Sequence, residues 1–337
     1  MTAGDVRVVV SGTAELALKH GFFLHGLQFP ATNANDSGSL VKSFLGFRDL
    51  NTPGSKSVAF LFTNEYNGMF WPLDKSIDSV PMGLKGTLQD RVRIQRFLDR
   101  FVPGIRVADL ESGGKNALRD DIVHAMDEVA NGCPPLVVTY FQGHSEGSAG
   151  PLRYITGDHN EGGKLKGFTA QELVKMFSKL SIQTMTMAIT DFCNSGNIYR
   201  LRFRLAPNPD GTFSWTETRE WQDDQRTNKV PSITSPMIHI AGSLEWQLVY
   251  ETGGGGGYFT NSLADLEAGP VTLPQFLMDL QRRVEIHVGQ GKSHSSSPLP
   301  RAARQVPQIY SNCNLPLDDP EIFSKIRDGT AKSFYCR

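Results

Sequence analysis

Cysteine is scarce in this chain, neither sign of charge is in excess, and no long apolar run is present. Each absence excludes something. Four cysteines in 337 residues, Cys133, Cys193, Cys313 and Cys336, are too few for a disulfide framework. None forms a C-x-x-C pair, and no His/Cys cluster has the spacing of zinc ligands. The simplest reading is free thiols in a reducing compartment. Lys and Arg number 34 against 35 Asp and Glu, so no general attraction to nucleic acid or an anionic membrane is expected. No apolar run approaches the roughly 18 residues that span a bilayer. The N-terminal Met1-Thr2-Ala3-Gly4-Asp5 lacks the basic-then-apolar pattern of a signal peptide. A cytoplasmic protein without membrane or nucleic-acid partners is the expectation. No motif recurs at a solenoid period.

What is present suits a large globular core, since 39% of the residues are hydrophobic. Residues 1–56 read as an N-terminal extension packed on a main domain at 57–337. Within the extension Val6–Val10 and Phe22–Leu27 are candidate strands and Ala31–Ser39 is loop-like. From Ser57 onward, strands and helices alternate. Ser57–Phe62, Leu136–Phe141 and Thr184–Thr190 are continuous apolar runs, as in strands covered on both faces. Ile105–Leu110, Met237–Ala241 and Gln308–Ser311 are shorter candidates. Leu88–Phe101 reads as a helix with Leu88, Val92, Gln95, Leu98 and Phe101 near one face. Asn116–Val129 shows a second helical stripe at Leu118, Ile122, Ala125 and Val129. Thr169-Ala170-Gln171-Glu172 and Thr272-Leu273-Pro274-Gln275 are capping boxes, each opening a helix. The first helix buries Leu173, Phe177 and Leu180; the second turns Leu277, Leu280, Val284 and Val288 inward. Such alternation implies parallel pairing with right-handed crossovers. The expected fold is a three-layer α/β/α sandwich with a mostly parallel central sheet. Arg200–Pro231, Gly253–Gly257 and Gln290–Pro300 interrupt it as long loops, which tend to be functional or mobile.

Two strands end in unusual polar turns. One closes on Gln142-Gly143-His144-Ser145-Glu146-Gly147, the other on Asp191-Phe192-Cys193-Asn194-Ser195-Gly196. Reacting groups in open parallel sheets gather beyond the carboxyl ends of strands. If the two strands are neighbours, His144 and Cys193 share one edge. Their separation of 49 residues suits one crossover with an inserted hairpin. A thiol attacks as its thiolate, and a nearby imidazole takes its proton or pairs with it. The amides of Ser145 and Cys193 are placed to hold an oxyanion, and His144 can later protonate the leaving amine. Taken singly, a cysteine at a strand end is usually inert core, and a histidine in a glycine turn is usually a loop residue. The two together, each after a buried strand, reverse that expectation.

The chain resembles the metacaspase branch of the caspase-like cysteine peptidases. Tyr140-Phe141-Gln142-Gly143-His144 resembles the family's Y-F-S-G-H, and Asp191-Phe192-Cys193-Asn194-Ser195-Gly196 resembles its D-C/S-C-H-S-G. Leu84–Asp90 resembles L-x-G-C-x-N-D, and Ile240–Gln247 resembles the segment lining the substrate cleft. The resemblance implies endopeptidase activity through an acyl-enzyme on polypeptide substrates, without cofactor, in a monomer. It also implies cleavage after Arg or Lys, with Asp90 and Asp191 flooring the first specificity pocket and Gln142 and Trp246 near the substrate. A carboxylate pair suits a guanidinium; the bland alternative is that Asp191 caps a turn and Asp90 begins a helix. Self-cleavage near Arg226 or Lys229, in a basic loop, is a further implication, weighed against a surface-packed insertion anchored by Trp215 and Trp221.

The departures from the family are Gln142 in place of Ser, Ser145 in place of Gly, and Glu146 after it. Glu146 either holds the imidazole or points to solvent. Where relatives place calcium-binding carboxylates, this chain has Ala170-Gln171 and Arg200, with Asp158 alone remaining. Calcium wants several carboxylates among six to eight oxygens, so no metal and no calcium requirement are expected. Two other readings stand beside the peptidase: a caspase-like scaffold that binds partners and cuts little, and a cysteine hydrolase acting on something other than peptides.

Overall fold

The computed structural model describes residues 6–9, 57–71, 80–109, 116–147, 151–159, 164–227, 231–252, 255–293, 299 and 302–330. The candidate strand at Phe22–Leu27 and the loop at Ala31–Ser39 lie outside them.

The apolar runs fold as strands because they are covered on both faces. β2 (Val58–Phe62), β4 (Leu136–Gln142), β8 (Met185–Asp191) and β11 (Met237–Ala241) are buried at every position. With β3 (Arg106–Asp109) they pair in parallel in the order β11-β8-β4-β2-β3. β14 (Gln308–Ser311), β9 (Phe203–Pro207) and β10 (Phe213–Glu217) extend the far side antiparallel, completing an eight-stranded sheet.

Helices cover both faces, giving the expected three layers. One face packs Ile94, Phe97, Leu98 and Phe101 of α1 (Thr87–Phe101) with Phe276, Leu277, Leu280 and Val284 of the long helix Leu273–Ser293. The other packs α2 (Arg119–Gly132) and α3 (Ala170–Phe177) through Ile122, Ala125, Val129, Leu173 and Phe177. Both capping boxes form: Glu172 N donates to Thr169 Oγ1 at 3.2 Å, and Gln275 N donates to Thr272 Oγ1 at 3.3 Å. Between His144 and Cys193 the inserted strands β5 (Ser145–Glu146), β6 (Arg153–His159) and β7 (Leu165–Thr169) form a small antiparallel sheet.

Four expectations need correction. The buried face of α1 is only partly the one the apolar spacing suggested: Leu98 and Phe101 are buried, but Leu88 and Val92 are 56% and 54% exposed while Asp90 and Arg91 are buried. Two charged residues displaced the apolar stripe, since both have polar partners inside. The Arg200–Pro231 stretch is not a long loop. It holds the β9–β10 hairpin and α4 (Arg219–Thr227), with Trp215 Nε1 donating to Leu315 O at 2.7 Å and the Arg202 guanidinium over the Trp221 ring. Its polar residues are the solvent side of an edge hairpin, which a count of polarity cannot distinguish from a loop. The first four residues of the Gln290–Pro300 stretch are helical, since the helix runs Leu273–Ser293; residues 294–298 and 300 lie outside the described ones. Finally, Cys313 is disulfide-bonded, so the expectation of free thiols holds only at Cys133 and Cys193; Cys336 lies outside the described residues. No helix among the described residues is long and apolar enough to cross a membrane.

Candidate active site

The register of the central pair places His144 and Cys193. β4 and β8 run in parallel with Gln142 opposite Asp191. His144 and Cys193 each stand two residues beyond that pair, on strands separated by roughly 4.8 Å. The turns they occupy are tied together: Gly143 N donates to Asp191 O at 3.3 Å, and Ser145 Oγ donates to Cys193 O. Both residues lie inside, His144 at 4% exposure and Cys193 at 0%.

The imidazole is held from three sides. Its Nε2 lies 2.6 Å from Met82 O. A carbonyl only accepts, so Nε2 carries the proton and Nδ1 keeps its lone pair. Nδ1 is buried and has no hydrogen-bond partner among the described residues. The Tyr66 ring lies 4.8 Å from the imidazole centroid, and Trp71 meets it edge-on at 5.1 Å. Tyr66 Oη accepts from His144 N at 3.0 Å and donates to Ile155 O at 2.6 Å. This hydroxyl explains the glycine before His144. Gly143 has φ +151°, and a Cβ there would sit 2.3 Å from Tyr66 Oη. Burial pushes the His144 pKa down to about 4, partly opposed by the bond to Met82 O, so the ring is neutral at pH 7.

The cysteine turn rests on the loop after β11. Asn194 takes φ +60°, which asparagine tolerates. Its backbone N–H donates to Gln247 O and its Nδ2 to Glu245 O, each at 2.8 Å. Val249 N, which opens β12 (Val249–Thr252), donates to Cys193 Sγ at 3.3 Å. Cys193 shares an apolar cluster with Tyr66, Met82 and Val249. Trp246, 70% exposed, stands on the rim of the same loop.

Beside this pair is a buried acid cluster. Asp90 Oδ1 accepts from Gly257 N at 2.8 Å, and Asp191 Oδ2 accepts from Thr260 Oγ1 at 2.6 Å. Asp191 Oδ1 is buried and has no partner among the described residues. Asp90 is held well above the usual carboxylate range by burial first, then by the charges of Asp191 and Glu251. Burial raises Asp191 to about 6. The glycine run supplies the close backbone: Gly256 and Gly257 form β13, paired with Thr252 and Glu251, and a Cβ on Gly257 would sit 2.6 Å from Asp191 Oδ2. Gly253 and Gly254 lie outside the described residues.

The remaining expected residues fall elsewhere. Gln142 is turned inward, accepting from Asn64 N at 3.1 Å and donating to Thr87 Oγ1 at 3.3 Å. Glu146 neither holds the imidazole nor faces open solvent; it pairs with Arg153. Asp158 is engaged by Lys166 at 3.0 Å, and Arg200 by Asp224 at 2.6 Å. Arg226 sits in α4 paired with Asp223; Lys229 lies outside the described residues. Sequence reasoning missed Tyr66, Met82 and Glu251. Met82 acts through its backbone, which no side-chain pattern reveals. Glu251 sits two residues after Val249, and only the strand geometry brings it to the acids.

The caspase domain profile matches residues 56–317. Among solved structures, protein GSU0716 from Geobacter sulfurreducens is 17% identical, covering 80% of this chain and 97% of its own, with a TM-score of 0.46. Caspase-1 from Spodoptera frugiperda is 15% identical, covering 76% and 86% respectively, also at 0.46. A search of curated proteins found no match. With the profile spanning most of its length, the chain belongs to the caspase domain family, a family of cysteine peptidases.

Proposed function

We propose that the protein is a cysteine endopeptidase of the metacaspase kind that cuts after Arg or Lys. One observation carries the cysteine-peptidase part: the imidazole donates its Nε2 hydrogen to Met82 O and keeps the Nδ1 lone pair, two residues beyond the Gln142–Asp191 pair, as Cys193 is on the neighbouring strand. In this mechanism Nδ1 takes the thiol proton as Sγ attacks the scissile carbonyl. The amides of Cys193 and Ser145 receive the oxyanion. The imidazolium then protonates the leaving amine, and water releases the acyl group with His144 as base. Met82 O stabilises the imidazolium through the Nε2 bond.

Asp90, Asp191 and Glu251 favour a cationic side chain in the first pocket. Asp90, held well above the usual carboxylate range, keeps a proton that a guanidinium would displace, and Asp191 Oδ1 has an acceptor site to spare. The reading includes a monomer working without calcium, supported by the commitment of Asp158 to Lys166. Self-processing at Arg226 or Lys229 is part of it, though Arg226 must first leave its helical turn, because peptides enter such clefts extended.

The second reading, a scaffold that cuts little, is favoured by the complete burial of Cys193. A peptide-library cleavage profile separates them, run with calcium and with a chelator. Cleavage after Arg and Lys in both conditions supports the peptidase. No cleavage of any peptide by folded protein supports the scaffold.

A further inference from the structure

β12 belongs to a small antiparallel sheet with β1 (Val6–Val9) and β13, separate from the eight-stranded sheet that delivers Cys193. Strand pairing therefore leaves the spacing between β12 and the nucleophile unset. A side chain sets it. Gln305, buried at 4% exposure, donates from Nε2 to Gly242 O at 3.0 Å and accepts at Oε1 from Tyr250 N at 3.1 Å. Gly242 N in turn donates to Thr190 O of β8 at 2.8 Å. A second tie runs beside the first: Gln247 Oε1 accepts from Val306 N and Gln247 O from Asn194 N, each at 2.8 Å. The amide next to that of Tyr250 is Val249 N, the group that donates to Cys193 Sγ at 3.3 Å.

We propose that the Val249 N–H is a catalytic group that holds charge on the Cys193 sulfur as the thiol proton leaves, and that Gln305 is the positioning residue that keeps it there. This rests on the peptidase reading and adds a group to its chemistry. A thiol sulfur is a weak acceptor and a thiolate a strong one. The bond therefore strengthens as the proton passes to His144 Nδ1, which is the condition for a contact to speed a reaction. Cys193 needs such a donor because it is fully buried, and burial disfavours the thiolate. The titratable groups around the sulfur are His144, with its pKa pushed down by burial to about 4, and the Tyr66 and Tyr250 hydroxyls, both raised by burial. Asp191 stands two residues before Cys193, and Glu251 two residues after Val249. None of these is a cation at pH 7, so a backbone amide supplies the partial positive charge that favours the thiolate.

The test is the pH profile of Cys193 alkylation by iodoacetamide, in the full wild-type chain and in Gln305→Leu, read by peptide mapping because Cys133 is also free. A looser loop scales the rate at every pH, whereas the midpoint reads how well the thiolate is held. The midpoint in Gln305→Leu is expected about one pH unit higher, a tenfold loss of thiolate at any pH below it. An unchanged midpoint overturns the inference, whatever happens to the melting temperature. Leucine also leaves the buried Tyr250 N and Gly242 O unpaired, at a cost in stability. A second measurement therefore uses the unaltered strand: amide NMR of wild type over the same pH range. The Val249 N–H resonance is expected to move with the alkylation midpoint, and Cys193→Ala to abolish that movement. A resonance that stays still through the midpoint, or moves equally in Cys193→Ala, overturns the inference. A peptidyl-arginine chloromethylketone tests the underlying reading separately. No labelling of wild type, while iodoacetamide still modifies Cys193, overturns the peptidase reading, and the midpoint shift still decides whether the amide holds the thiolate.

Discussion

Replacing Asp90 with asparagine should weaken the proposed cleavage of arginine peptides and strengthen the fold. Asp90 is 1% exposed and faces Asp191 and Glu251, so three carboxylates share a space with little water. Losing one partner of a buried charge pair costs about 2–4 kcal/mol. At about 1.4 kcal/mol per decade, kcat/KM for an arginine peptide should fall on the order of 100-fold. The pH dependence gives a second signature. Asp191 titrates at about 6 and Asp90 is held well above the carboxylate range, so a guanidinium entering the pocket expels a proton. Wild-type kcat/KM for the arginine peptide should therefore rise as pH climbs through about 6 and above, and the asparagine variant should lose the part of that rise that belongs to Asp90. For stability, a folded pKa raised above the unfolded value means that the contribution is full at low pH and is lost as pH rises through the folded pKa. The variant should thus melt higher than wild type at pH 8, by about 2 °C for each kcal/mol relieved, and less so at pH 5. Peptide kinetics and thermal melts at the two pH values decide it. Unchanged kcat/KM, or a variant several degrees less stable at pH 8, would refute the acid-pocket reasoning.

Two further outcomes follow from the histidines and their support. Tyr66→Phe removes the hydroxyl between His144 N and Ile155 O, leaving two buried backbone groups unpaired at about 1–3 kcal/mol each; melting temperature and chloromethylketone labelling should both fall, and a variant matching wild type in both removes Tyr66 from the positioning of His144. His239 is buried between Tyr199 and Tyr310, bonds Thr190 Oγ1 at 2.8 Å, and has its pKa pushed by burial to about 3. A folded pKa below the unfolded value of about 6.5 means stability present above pH 6.5 and lost as pH falls, so moving to pH 5 should cost about 2 kcal/mol from His239. His239→Gln should show a smaller loss between pH 7 and 5 by urea titration; an equal loss shows that this ring does not titrate as described. The acid pair moves oppositely in both proteins and cancels in the difference.

Much of the architecture was legible because it rests on continuous burial. The runs at Val58–Phe62, Leu136–Gln142 and Met185–Asp191 are apolar at nearly every position, and only strands covered on both faces need that. The capping boxes were legible because they are local. The face of α1 was not, because Asp90 and Arg91 are buried through partners distant in sequence: Gly257 N for one and Thr63 Oγ1, at 2.7 Å, for the other. In the site, the polar turns drew attention to His144 and Cys193, and the β4–β8 register puts those two turns at the same edge of the sheet. The Met82 carbonyl, the Tyr66 hydroxyl and Glu251 needed the folded chain, since each acts at a contact between segments of 62 to 89 residues' separation or across a strand pair. The hairpin at Phe203–Glu217 was hidden by its exposed polar side.

The most direct measurement is intact-mass and peptide mapping after treatment with a peptidyl-arginine chloromethylketone, comparing wild type with His144→Ala and Cys193→Ala. One adduct on Cys193 in wild type, slowed by orders of magnitude in His144→Ala and missing in Cys193→Ala, is the predicted result. Equal labelling of Cys193 with and without the imidazole would contradict it, because the sulfur would then be reacting alone.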